Sequence, residues 1–134
     1  MEPEAAKPKV FMVDDEAMLL QMYKQAFERG GYEVATYSDA WEALKILRTG
    51  EYVPDVILFD ITMPGDKSGF EFIDVVHDEK LAKSALKIAL TGEGRQAVKD
   101  RLQEIGISAF LHKPEFVPSE IVKIVTDLLQ KRNG

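Results

Sequence analysis

Asp14 and Asp15 directly follow the apolar run Val10-Phe11-Met12-Val13, and Asp60 directly follows Val56-Ile57-Leu58-Phe59. Thr91 follows Ile88-Ala89-Leu90, and Lys113 follows Ala109-Phe110-Leu111 with one residue, His112, between. If each run is a strand and all run the same way, these side chains collect at one end of one sheet. Three carboxylates held together repel one another unless a hard cation sits between them, and carboxylate plus carbonyl oxygens suit Mg²⁺. An ammonium and a hydroxyl facing the same point would, with that cation, stabilise the three oxygens of a phosphoryl group. Asp60, alone at the end of the central run, is then the acceptor.

Taken one at a time, the same residues have ordinary explanations. Asp14-Asp15 reads as a helix cap, the commoner fate of aspartate after a strand. Asp60 could begin a turn through Met63-Pro64-Gly65, Thr91-Gly92 could be a turn, and Lys113 a solvated edge residue before Pro114. The conjunction outweighs them, because the bland explanations for four different strands must all place their residues at one end of one sheet.

The elements that would position these residues are legible as alternating patterns. Apolar runs at 10–13, 34–37, 56–59, 88–90 and 109–111 predict five strands. The first, third and fourth are apolar on consecutive residues, as in a parallel sheet covered on both faces, and the second and fifth read as edges. Five helical segments lie between and after them. The first carries Leu19, Tyr23, Ala26 and Phe27 and stops at Gly30-Gly31; the second is capped by Asp39 and buries Ala40, Ala43, Leu44 and Leu47. The third carries Phe72, Ile73 and Val76, and the fourth Val98, Leu102 and Ile105. The last opens at Pro118 and runs through Ile121, Ile124, Val125 and Leu128. Right-handed crossovers turn this order into a three-layer, doubly wound (βα)₅ domain with ligands beyond the strand carboxyl ends.

Composition bounds the function. Seventeen Lys+Arg against 23 Asp+Glu give a net charge of −6, which opposes direct binding to nucleic acid. Cysteine is absent, which excludes disulfides, a thiol nucleophile and Cys-ligated metals, and a reducing, cytoplasmic setting is expected. The acidic start and short apolar runs lack the marks of a signal peptide or a membrane span. Residues 1–8 read as a flexible leader and residues 9–131 as the folded unit, with no output domain expected after Leu129. His77 and His112 are expected to be structural or surface residues, Trp41 to pack the second helix, and Asp78-Glu79-Lys80 to be a solvated helix end.

Val13-Asp14-Asp15, Asp60-Ile61-Thr62-Met63-Pro64, Leu90-Thr91-Gly92 and Phe110-Leu111-His112-Lys113-Pro114 together resemble a two-component response regulator receiver domain, of the kind found in chemotaxis regulators. The resemblance covers residues 9–131 and implies the strand order 2-1-3-4-5 known for the chemotaxis member of that family. It implies that Asp60 accepts a phosphoryl group from the phosphohistidine of a sensor histidine kinase or phosphotransfer protein. Asp15, Asp60 and the Thr62 carbonyl would bind Mg²⁺, with Asp14 acting through water. Lys113 would pair with Asp60 and then with the phosphoryl group, and Thr91 would move to bond it. Phe110 matches the aromatic position that swings inward behind Thr91, and the Lys113-Pro114 bond would be cis. The face made by the fourth helix, fifth strand and fifth helix would then switch an output protein or domain, or a second copy of the chain.

Two departures stand out: one extra residue between Pro64 and Gly69, and phenylalanine at 110 where tyrosine is more frequent. Thr62 and Glu93 match the variable pair that tunes phosphoryl lifetime. Competing readings are a pseudo-receiver that is never phosphorylated, a small Mg²⁺-dependent phosphatase and a flavodoxin. The first would have lost an acid or the lysine, and none is lost. The second needs a further aspartate where Thr62 stands, and the third a hydroxyl- and glycine-rich loop where Asp14-Asp15-Glu16 stands.

Overall fold

The computed structural model describes residues 7–61, 69–91, 96–112 and 116–133. Strands and helices alternate as β1 (Lys9–Val13), α1 (Ala17–Arg29), β2 (Glu33–Tyr37), α2 (Ala40–Thr49) and β3 (Val56–Asp60), followed by α3 (Gly69–Asp78), β4 (Leu86–Thr91), α4 (Gln96–Ile105), β5 (Ala109–His112) and α5 (Pro118–Asn133). The strands form one parallel sheet in the order β2-β1-β3-β4-β5. β3, at its centre, is buried along its whole length, whereas β2 and β5 are edges with partly exposed residues. Among the described residues no helix is long and apolar enough to cross a membrane.

Alternation along each strand divides the core into two layers. Phe11, Val13, Ile57 and Phe59 pack with α2, α3 and α4 through Leu44, Phe72, Ile73 and Leu102. Val10, Met12, Val56 and Leu58 face the other way, onto α1 and α5 through Leu20, Phe27, Ile121 and Val125. Strands apolar on every residue are what such a sheet requires, since each face must be covered.

Helix boundaries follow local chemistry. The Asp39 carboxylate accepts hydrogen bonds from the Trp41 and Glu42 amides and so caps α2 as expected. At the end of α1 the Gly31 and Tyr32 amides donate back to Glu28 O and Phe27 O, with Gly31 at φ 93°. α4 ends the same way through Gly106 and Ile107, with Gly106 at φ 87°. This left-handed stop favours glycine because it has no Cβ to clash. α3 closes with the same pair of bonds, Lys80 N to His77 O and Leu81 N to Val76 O, yet a lysine at φ 57° holds the glycine position.

Three expectations about helix faces are corrected. In α1 the buried line is Leu20, Tyr23 and Phe27, with Leu19 at its margin. In α5 it is Ile121, Val125 and Leu129, while Ile124 and Leu128 are only partly covered. The α1 line follows i, i+3, i+7 and the α5 line i, i+4, i+8, spacings that point side chains at a single neighbour. Trp41, expected to pack the second helix, is 45% exposed. It lies one residue off the buried stripe of α2 and so stands over the slot between α2 and α3 rather than beneath it.

Asp78-Glu79-Lys80 is exposed, as expected of a solvated helix end. Within that run the Glu79 carboxylate also takes two hydrogen bonds from Arg48, at 2.9 Å and 2.7 Å, joining the end of α2 to the turn after α3. Arg132, near the end of α5, donates to Ser84 O and braces the same turn from the other side.

Candidate functional site

The register of the central strands builds the site. Val13 lies opposite Phe59, so the next residue on each strand, Asp14 and Asp60, leaves the sheet at the same level. Asp60 continues the alternation of Val56 and Leu58 and Asp14 that of Val10 and Met12, which gives both the same facing. Each is only 3% exposed, whereas Asp15 is open to solvent. One carboxylate oxygen from each of Asp14, Asp15 and Asp60 lies within 4.8 Å of the others.

Local hydrogen bonds keep this corner in shape. The Asp14 amide donates to Tyr37 O at 3.1 Å, extending the β1–β2 pairing past the end of the strand. The Asp14 carboxylate in turn accepts from the Glu16 amide at 3.0 Å. The N-cap of α1 is Glu16, whose side chain makes no capping bond, and the first turn carries no acid. Helix capping therefore does not explain Asp14-Asp15. On the other flank the Ile61 amide donates to Leu90 O at 3.2 Å, which holds the chain beyond Asp60 against the end of β4.

Thr91 is the last residue of β4, next to the residue paired with Asp60, so it too lies at this end of the sheet. Its register partner is His112, the last residue of β5, and Lys113 follows. Lys113, Thr62, Glu93, the loop with the extra residue after Pro64 and the Lys113-Pro114 bond lie outside the described residues. Phe110 is half-buried on β5 against the α2–α4 layer. The ammonium of Lys99 on α4 stands 5.6 Å from the centre of the Phe110 ring, a cation–π contact. The sequence patterns did not single out Lys99, because nothing local marks a lysine that meets a ring on a neighbouring strand. His77 and Trp41 lie apart from the acidic corner, in cavities lined by α3 with α4 and by α2 with α3.

The donor set suits a hard divalent cation. Three oxygens of three carboxylates converge, two of them belonging to residues withdrawn from water, and among the described residues no softer sulfur or imidazole ligand shares the cluster. The arrangement could bind Mg²⁺.

A family model of the response regulator receiver domain matches residues 10–126. The chain belongs to this receiver family. Similar proteins include the polar-differentiation response regulator DivK of Brucella ovis, 30% identical over 115 residues that span 86% of this chain and 91% of that protein. Among solved structures, the chemotaxis protein CheY4 of Vibrio cholerae matches 92% of this chain and 99% of its own, with 32% identity and a TM-score of 0.81. A CheY-like receiver domain protein from Methanospirillum hungatei matches 96% of this chain and 99% of its own, with 27% identity and a TM-score of 0.83. The five-stranded order and the position of the acidic corner at the strand carboxyl ends agree with the receiver fold expected from the sequence.

Proposed function

We propose that this receiver is the phosphoacceptor of a two-component relay, with Asp60 as the nucleophile. The observation that carries this reading is the convergence of the Asp14, Asp15 and Asp60 oxygens within 4.8 Å at the end of β1 and β3. A carboxylate oxygen of Asp60 attacks the phosphorus of a phosphohistidine on a sensor kinase or phosphotransfer protein. The P–N bond breaks, the imidazole leaves with that electron pair, and Asp60 becomes a mixed carboxyl–phosphoryl anhydride. Asp15, Asp60 and the Thr62 carbonyl are assigned to Mg²⁺, with Asp14 acting through water. Bound Mg²⁺ supplies charge neutralisation for the phosphoryl oxygens. Lys113 pairs first with Asp60 and then with the phosphoryl group, and the Thr91 hydroxyl donates to another phosphoryl oxygen. The only chemistry assigned to the chain is the gain and loss of its own phosphoryl group.

Phosphorylation draws Thr91 toward Asp60 and opens room for Phe110, which reshapes the surface of α4, β5 and α5. That surface then meets an output protein or domain, or a second copy of the chain, in the cytoplasm. Residues 9–131 are assigned to this unit and residues 1–8 to a leader.

Incubation with acetyl phosphate and Mg²⁺, followed by mass mapping, tests the assignment. One phosphoryl group should appear on Asp60 in the parent and none in Asp60→Asn, which changes the nucleophile with little change in size. Stoichiometric labelling of that variant, or labelling elsewhere in the parent, would sink it.

A further inference from the structure

A cavity of about 310 Å³ opens between the end of α3, the start of β4 and the end of α4. Lys87 on its wall is the second residue of β4 and Thr91 is the last, so the cavity lies at the strand amino ends, away from the three aspartates. Its floor is apolar: Ile73 and Val76 are fully buried, and Ile107 is half-buried beside them. Its rim carries Lys80, Lys83, Lys87 and His77, and among the described residues no aspartate or glutamate lines it. In a chain of net charge −6, this is a local reversal of sign.

Two of these lysines are held in place. The Lys87 ammonium donates to Ala82 O at 3.1 Å and Ala85 O at 3.2 Å, which leaves one of its three N–H donors for a ligand. Burial holds its pKa below the ordinary lysine value, so a nearby anion would offset a cost the wall already carries. Lys80 occupies the left-handed stop of α3 that glycine fills in α1 and α4, and Ala82 beside it is also left-handed at φ 46°. Non-glycine residues in that region persist when their surroundings over-determine them, and such strain gathers at ligand clamps. Here Arg48–Glu79, Lys87–Ala82 and Arg132–Ser84 bonds fix the turn.

We propose that this cavity binds a small organic carboxylate, its apolar body against Ile73, Val76 and Ile107 and its carboxylate among Lys80, Lys83 and Lys87. The volume equals that of roughly ten water molecules, at the small end of ligand sites, and so fits a compact aromatic or branched acid rather than a nucleotide. Charge complementarity selects the anion, and the buried floor selects the body. The site is independent of the acidic corner and does not rest on its phosphorylation.

The test is a titration of the isotope-labelled full chain with naphthoate, read from amide shifts, beside the uncharged naphthalenemethanol. Shifts should be confined to residues 73–87 and 105–107, with naphthoate binding about tenfold more tightly than the alcohol. Lys83→Gln should weaken naphthoate by about three- to fivefold and leave the alcohol unchanged. Lys80→Gly should weaken naphthoate similarly while raising the melting temperature, because it removes a cation and relieves a left-handed lysine together. That pair of opposite effects excludes simple unfolding as the cause. Equal affinity for acid and alcohol, shifts elsewhere, unchanged binding by both variants, or no saturable binding of naphthoate would each overturn the proposal.

Discussion

Asp14 and Asp60 stand side by side because Val13 and Phe59 are register partners on β1 and β3, and both carboxylates are almost wholly withdrawn from solvent. Asp15, the exposed third member, is the one whose charge can be removed without opening the core. Asp15→Asn should therefore raise the stability of the metal-free protein by up to about 1 kcal/mol, the repulsion of two unit charges ~4 Å apart in water. Mg²⁺ should raise the melting temperature of the parent by linkage and leave this variant nearly unmoved. Calorimetric melts with and without Mg²⁺ measure both, and an equal Mg²⁺ response in the two proteins would place the ion elsewhere.

Tyr52 packs its ring 5.7 Å from that of Phe11, and its buried hydroxyl has no hydrogen-bond partner among the described residues. Burial, with added repulsion from Glu33, Tyr37 and Asp55, pushes its pKa up from 10.0 to about 12. The folded value exceeds the unfolded one, so the stability this phenol contributes is complete below pH 10 and is lost as pH rises through 12. Tyr52→Phe should remove that alkaline loss and, by deleting an unsatisfied polar atom, stabilise the fold by about 1 kcal/mol at neutral pH. Urea unfolding across the alkaline range distinguishes the two proteins.

The Arg48–Glu79 pair offers an acid-side counterpart. The hydrogen bond from Arg48 holds the Glu79 carboxyl below its usual 4.5, with a smaller opposing effect of desolvation. A depressed folded pKa contributes stability above the unfolded value that is lost as pH falls through the lower one. In Arg48→Ala the Glu79 midpoint, followed by carbon NMR, should return toward 4.5. The pair is exposed, so the change in overall stability should be small.

Signal transfer to the α4–β5–α5 surface is expected to need the Thr91 hydroxyl and to be tuned by Lys99. Amide exchange over residues 91–113 should change on addition of a phosphoryl mimic in the parent and stay unchanged in Thr91→Ala. Lys99→Gln removes the cation 5.6 Å from the Phe110 ring and should bring Phe110 ring motion into a faster regime without a mimic. If Thr91→Ala responds like the parent, that hydroxyl carries no signal.

Much of the molecule was legible in the sequence because the controlling interactions are local or periodic. Consecutive apolar residues at 10–13 and 56–59, alternating with helical patterns, are what parallel strands covered by helices on both faces need, and parallel strands put Asp14, Asp15 and Asp60 at the same end. Asp39 and Gly31 act on amides and carbonyls within a few residues of themselves, so cap and stop could be read directly. What tertiary structure alone decided depends on partners far along the chain or on small rotations. Glu79 finds Arg48 across 31 residues, a meeting no charge pattern specifies. Trp41 is exposed because one residue of offset turns a side chain about 100° around its helix, away from the stripe that Leu44 and Leu47 occupy. The lysine-rimmed cavity exists because α3, the turn before β4 and α4 end beside one another, and that adjacency follows from sheet order rather than from any residue type.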